Sequence, residues 1–160
     1  MIDELDRQIA MLLQQNARIS NAEIARQVGL APSAVFERIR KLEERDVLQS
    51  YNARIDPHAV GLSLVAFTFV RSNDRPGGID TAAKLAEIPE ILEVHHVAGE
   101  DCFLVKIRAA DTEDFGRILR ERLGKVTSIT STRTTIVLET LKETSELPIE
   151  LAREREAASA

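Results

Sequence analysis

The sequence predicts an α+β chain in two parts: three short helices over residues 1–50, then a βαββαβ unit. Two observations carry this. Over the first part, apolar side chains recur every three or four positions, the spacing of one helix face. From Leu62 onward, runs rich in Val, Ile, Phe and Thr alternate with helical patterns. The rhythm changes across Asp56-Pro57 and Gly61, a stretch of turn signals. The expected divisions are residues 1–50, a linker strand over 51–61, a second domain over 62–145 and a C-terminal tail over 146–160.

The first helix is expected over residues 3–14. Ile2, Leu5, Ile9, Leu12 and Leu13 share a face, and Asp3, Glu4 and Asp6 suit the positive end of its dipole. Asn16-Ala17-Arg18 is the turn. Ser20 reads as an N-cap, and Glu23 completes a capping box. Ile24, Ala25 and Val28 form the apolar stripe of a second helix, which Gly29 ends in a left-handed conformation. Pro32 suits the first turn of a third helix, whose buried face is Val35, Ile39 and Leu42. Its opposite face carries Ser33, Glu37, Arg40 and Lys41. Two short helices about a glycine turn, the second bearing cationic groups outward, make a helix-turn-helix pattern. Asp46 stands at the helix exit, where glycine is more comfortable. Val47–Ile55 reads as extended, a short wing or a linker strand, so the first domain is winged-helix-like.

The second part begins with a strand over Leu62–Val70. Gly77-Gly78 opens a helix from Ile79 to Ile88, with Ile79, Ala82, Ala83, Leu85 and Ala86 inward. Ile91–Ala98 and Cys102–Arg108 form a hairpin around Gly99-Glu100-Asp101. Asp111 or Thr112 caps a helix burying Phe115, Ile118, Leu119 and Leu123, and Ser128–Lys142 is a long last strand. This order is the ferredoxin-like arrangement, with helices on one face of a four-stranded antiparallel sheet. In the first strand Leu62, Leu64, Ala66 and Val70 point one way and Val65, Phe67 and Phe69 the other. In the last, Ile136 and Leu138 oppose Val137 and Leu141. A sheet with one wet face alternates apolar with polar. This one does not, so a homodimer packed sheet against sheet is expected.

The chain has 160 residues, 44% hydrophobic and 29% charged, with one cysteine and a net charge of −5. The lone cysteine excludes an internal disulfide. The acidic, amphipathic start is no signal peptide, and no apolar run approaches the roughly 18 residues of a membrane span. A cytoplasmic protein with no membrane partner is expected. Residues 1–50 hold seven Arg and Lys against eight Asp and Glu. Nucleic-acid binding would therefore rest on the cluster of Arg38, Arg40, Lys41 and Arg45, with repetition in an oligomer supplying avidity.

On these residues the sequence resembles the Lrp/AsnC, or feast/famine, family of regulators. The N-terminal motifs are Leu5-Asp6-Arg7-Gln8-Ile9, Asn16-Ala17-Arg18-Ile19-Ser20, Glu23-Ile24-Ala25, Val28-Gly29-Leu30, Arg38-Ile39-Arg40-Lys41-Leu42-Glu43 and Tyr51. The C-terminal motifs are Val97-Ala98-Gly99-Glu100-Asp101-Cys102-Phe103-Leu104-Val105-Lys106 and Thr132-Arg133-Thr134-Thr135-Ile136-Val137-Leu138. The resemblance implies a regulator that binds double-stranded DNA, dimerises through its second domain, often assembles to octamers, and responds to an amino acid held between subunits. The sequence departs from the family at Asp46 (usually glycine), at Ala31 (usually serine) and at Cys102 (an aspartate in some relatives).

Ser33, Phe36, Glu37 and Arg40 are the candidates for the major groove: a hydroxyl for base edges, a ring for a thymine methyl, an acceptor for cytosine and a guanidinium for guanine or phosphate. Phe36 could instead fold against the first helix. Arg38 either contacts phosphate or pairs with an acidic neighbour, while Lys41 and Arg45 would hold phosphates. The amides of Gly99-Glu100-Asp101 could cradle an effector carboxylate, with an acidic side chain for its ammonium, or the stretch is a plain hairpin turn. Cys102 adjoins that turn, and by resemblance Thr134, Thr135 and Ile136 lie near the same pocket. His95 and His96, adjacent on a strand, face opposite ways and do not suit one metal. No metal, cofactor or catalytic residue is expected. The alternative from another class is a sirohaem-decarboxylase-like enzyme on the same architecture.

Overall fold

The computed structural model describes residues 2–75, 77–99 and 101–150. Contacts divide the described residues into two units, with breaks after Arg54 and after Lys142, so that residues 143–150 belong with the N-terminal helices.

The N-terminal unit holds α1 (Glu4–Gln15), α2 (Asn21–Val28) and α3 (Pro32–Glu44). Asp3 caps α1, its carboxylate accepting the Asp6 N–H at 2.8 Å. Ser20 caps α2 through the Glu23 N–H at 3.2 Å. The reciprocal arm of a capping box is replaced: the Glu23 carboxylate takes Arg26 Nη2 at 2.6 Å and Gln27 Nε2 at 2.7 Å. Gly29 ends α2 at φ 70°, ψ 32°. Ala31 caps α3 without a side-chain bond, and Pro32 opens it. Ile9, Ile24, Val35 and Leu42 are wholly buried and weld the three helices together. Asp46 adopts φ 54°, the left-handed exit expected of it.

No strand forms over residues 47–55. The amides of Val47 and Leu48 both turn back to the Leu42 carbonyl, at 2.9 and 3.2 Å, and Leu48 packs on the helical core. Beyond that point no neighbouring strand offers a ladder, so the expected wing does not exist.

The C-terminal unit holds β1 (Leu64–Ser72), α4 (Asp80–Ala86), β2 (Ile91–His96), β3 (Phe103–Ala109), α5 (Thr112–Glu121) with a 3-10 turn at Leu123–Lys125, and β4 (Ile129–Ile136). The sheet order is β2-β3-β1-β4 and every pair is antiparallel, the ferredoxin-like arrangement. Ala66 and Val70 pair with Ile107 and Phe103 on the face that meets Leu85, Phe115 and Ile118.

Three elements differ from expectation. β1 starts at Leu64, leaving Leu62 exposed. α4 is short: Ile79 is its N-cap and is 61% exposed, Ala83 and Ala86 face solvent, and Thr81 and Leu85 take the buried positions. Its free amide end is satisfied from the preceding loop, where Asp74 accepts the Thr81 N–H at 3.0 Å and its hydroxyl at 2.9 Å. β4 ends at Ile136, which pairs with Ala66, two residues short of the start of β1; the last link is Val137 N–H to Val65 O at 2.9 Å. Leu138 and Leu141 therefore lie outside the sheet, 99% and 88% exposed.

The second face of the sheet is less apolar than expected. Val65, Phe67 and Phe69 do form a stripe along β1, continued by Leu104 at the Phe69 register. Three of their other neighbours are charged: Arg108 beside Val65, Lys106 beside Phe67 and Arg133 beside Phe69. Lys106 lies opposite Phe67, and its ammonium meets Glu93 at 3.0 Å, while His95 meets the same carboxylate at 3.2 Å.

Candidate functional site

The outer face of α3 is set by its inner one. With Val35 and Leu42 buried and Ile39 partly so, Ser33, Phe36, Glu37, Arg40 and Lys41 point to solvent, and Arg45 follows as the C-cap. Phe36 is 54% exposed, so it does not fold against α1. Arg40 is not loose. Its guanidinium bridges Glu37 at 2.8 Å and Glu44 at 2.6 Å, one turn to either side. Glu37 above all, then Glu44, raises its already high pKa. Such exposed pairs each contribute little, so DNA phosphates can compete for the arginine.

Arg38 turns the other way. One guanidinium nitrogen meets Asp3 at 2.7 Å and Asp6 at 2.6 Å, tying the middle of α3 to the start of α1. The hydrogen bond from Arg38, seconded by that from the Asp6 amide, holds the Asp3 carboxyl below its usual pKa. Of the alternatives for Arg38, this geometry is the ion pair with acidic neighbours. Sequence reasoning named Arg38 but not its partners; the signal was the Asp3/Asp6 pair at a helix start.

At the hairpin, Gly99 has φ 139°, a conformation that favours glycine. Glu100 lies outside the described residues. The Asp101 carboxylate meets Arg133 at 2.9 Å and lies 3.8 Å from Arg71. Arg133 also stacks over the Phe69 ring, 4.2 Å from its centroid. Cys102 donates its amide to Val70 O at 3.0 Å, and its half-buried thiol lies 3.9 Å from Ser72 O.

The remaining candidates are spread along β4. Thr134 pairs with Thr68, and the two hydroxyls meet at 2.9 Å. Ile136 pairs with Ala66, one step further from the turn on the same face, and Thr135 faces the opposite side. One subunit therefore brings Asp101, beside Gly99 and Cys102, together with Arg71 and Arg133; Thr135 shares the Arg133 face of β4, whereas Thr134 and Ile136 lie on its other face. Arg133 was visible in the sequence as the one charge in a threonine-rich strand.

His95 and His96 diverge as expected: His95 meets Glu93, and His96 lies 5.2 Å, ring to ring, from Phe103. Burial raises the Glu93 pKa, but the hydrogen bonds from Lys106 and His95 outweigh it, so the net shift is downward. Among the described residues, no helix is long and apolar enough to cross a membrane, and no group of His, Cys, Asp and Glu could hold a metal ion.

Both units match known domains. Residues 2–43 match the AsnC-type helix-turn-helix domain, and residues 65–147 the Lrp/AsnC ligand binding domain. The HTH-type transcriptional regulator FL11 of Pyrococcus horikoshii is 40% identical over 148 residues, covering 92% of this chain and 97% of that protein. The leucine-responsive regulatory protein of Escherichia coli K12 is 35% identical over 152 residues, 92% of each chain. A transcriptional regulator of Neisseria meningitidis, solved as a complex with L-Met, superposes with a TM-score of 0.85 at 28% identity, covering 95% of this chain and 99% of that one. A feast or famine regulatory protein of M. tuberculosis complexed with L-methionine gives 0.84 at 34% identity, covering 92% and 99%. These relatives are regulators, which sets aside the decarboxylase-like alternative. A helix-turn-helix with its polar face outward, followed by this four-stranded sheet and matched over nearly the whole length, makes the chain a member of the Lrp/AsnC family of DNA-binding transcriptional regulators.

Proposed function

We propose that the protein reads double-stranded DNA in the cytoplasm with Ser33, Phe36, Glu37 and Arg40, holds phosphates with Lys41 and Arg45, and uses Arg38 to fix the helix that carries them. The observation behind this is the exposed row on α3, whose opposite face is locked into the helical core. Fluorescence anisotropy with a fragment of the gene's own upstream region tests it. Arg40→Ala should weaken binding by about tenfold, the scale of one lost cationic contact. Unchanged affinity with an intact oligomer removes Arg40 from the interface.

The effector is an amino acid, held at the turn of Gly99, Glu100, Asp101 and Cys102 and completed at a subunit boundary by Thr134, Thr135 and Ile136. The spread of these residues within one chain supports a pocket shared between copies. L-methionine, present in two of the similar structures, is the first compound to screen by thermal shift. A hit that survives Asp101→Ala places the pocket elsewhere. The Val65, Phe67 and Phe69 stripe is the surface on which two copies pair, and dimers assemble to an octamer, giving the near-neutral DNA-binding domains avidity. Residues 1–50 and 62–145 are the functional domains.

A further inference from the structure

We propose that residues 143–149 form a strap through which the ligand-binding domain acts on the DNA-binding helices, with Gln14 of α1 as the latch and positioning residue. This rests on the reading above, in which one domain controls the other. The chain leaves the sheet at Ile136, and residues 143–150 belong to the N-terminal unit. There Gln14 Nε2 donates to Leu147 O at 2.9 Å, and Leu147 N–H donates to Gln14 Oε1 at 2.9 Å.

A side-chain amide has the shape of a peptide group, so this two-point contact is a one-residue β-ladder. It grips the main chain of Leu147 by both its N–H and its carbonyl. The Leu147 side chain is 69% exposed, so apolar burial at that residue does not hold it. An open groove of about 820 Å³, lined by Ala10, Leu13, Gln14, Leu48, Tyr51 and Leu147, leaves the strap room to shift when the latch opens.

The connection is short at both ends. Residues 137–142 span at most about 20 Å when fully extended, so a short tether joins β4 to the strap. On the far side α1 is a rigid rod. Gln14 lies in its last turn, and Asp3 and Asp6 at its start grip Arg38 in the middle of α3. A pull on Leu147 thus becomes a tilt of the DNA-reading helix.

A double-mutant cycle tests this without knowing the effector. Thr134→Val breaks the hydroxyl pair between β4 and β1, and Gln14→Leu removes the latch. Affinity for the gene's own upstream fragment is measured for the wild type, both single variants and the double variant, with circular dichroism confirming helix content. Thr134→Val should change the Kd by about threefold when Gln14 is present and not when it is Leu, a non-additivity within the range of coupled sites. Gln14→Glu, which keeps the acceptor for Leu147 N–H and loses the donor, should restore part of the coupling and takes the place of Gln14→Leu if that variant unfolds. An equal Thr134→Val effect in both backgrounds, or none in either, overturns the strap. A protein that binds no upstream DNA overturns the functional reading instead. The strap is then judged in the same four proteins by amide exchange in α3: protection that changes with Thr134→Val only when Gln14 is present supports it, and any other pattern refutes it.

Discussion

Replacing Arg38 with methionine isolates the tie between α1 and α3, because methionine keeps much of the length and removes the charge. The two carboxylates left behind are not equal. The Asp6 side chain is 13% exposed, that of Asp3 55%. A buried acceptor that loses its charged partner costs about 1–3 kcal/mol, whereas an exposed pair contributes about 0–1 kcal/mol. Arg38→Met should therefore destabilise the N-terminal unit by about 2–3 kcal/mol, nearly all of it through Asp6. Asp3→Asn, at a solvent-exposed carboxylate, should cost far less than Arg38→Met. Urea unfolding followed by helical circular dichroism reads this as a midpoint lowered by about 1–2 M for Arg38→Met, at the slope of a small domain. Adding Asp6→Asn to Arg38→Met should recover most of the loss, since the buried charge is then gone.

The same pair sets an acid limit. Because Arg38 depresses the Asp3 pKa in the folded state, the contribution of Asp3 is complete above the ordinary aspartate value of about 4 and fades as pH falls through the lower folded value. Arg38→Met should flatten that acid slope. Equal costs for Arg38→Met and Asp3→Asn, or no recovery on adding Asp6→Asn, would refute the reasoning.

Glu44 competes with DNA for Arg40, so Glu44→Gln should tighten DNA binding by about two- to threefold at low salt and steepen the salt dependence by up to about one charge, measured by anisotropy across a salt series. Asp46→Gly should raise the stability of the N-terminal unit by about 0.5 kcal/mol in urea, the relief of a left-handed aspartate less the entropy of glycine. Tyr51 is the chain's single tyrosine, and tryptophan is absent, so ultraviolet titration reads it alone. Burial first, then the bond to Glu43 at 2.8 Å, pushes its pKa up to about 12. Stability held below pH 10 should therefore be lost as pH rises through that value, and Glu43→Gln should bring the midpoint part of the way back.

The helical half was legible because its signals are local. Ser20, Gly29, Pro32 and Asp46 each mark an end by the chemistry of their own backbone position, and the structure keeps all four roles. Errors fell where the deciding partner is distant in sequence. Periodicity could not show that Asp74 would supply the cap of α4 from the preceding loop and so leave Ile79 outside. Nor could it show that β4 would part from β1 at the Ala66–Ile136 pair, two residues short of the start of β1, with Leu138 in solvent. The candidate site divides in the same way. The exposed face of α3 followed from its buried stripe, whereas the partners of Arg38 and Asp101 lie 30 residues or more away and only the fold brings them together.

The second face of the sheet shows how a correct pattern can be overextended. The pattern in β1 is real, but β2 and β3 do not repeat it. Their outward positions carry Glu93, His95 and Lys106, linked to one another beside Phe67 and Phe69. A proposed pairing of two copies there must bury an apolar stripe about one strand wide and seat a charged row next to it. Its strength then lies in Phe67 and Phe69, each removing on the order of 2 kcal/mol of apolar surface from water per copy. Because a twofold interface repeats every substitution, Phe67→Lys alters both sides at once and places two new charges beside Lys106 and its copy. Sedimentation of that variant should show monomer at concentrations where the wild type is dimeric. Lys106→Gln, which leaves the stripe intact, should keep the dimer. Loss of the dimer in Lys106→Gln but not in Phe67→Lys would mean that the charged row, rather than the aromatic stripe, holds the copies together.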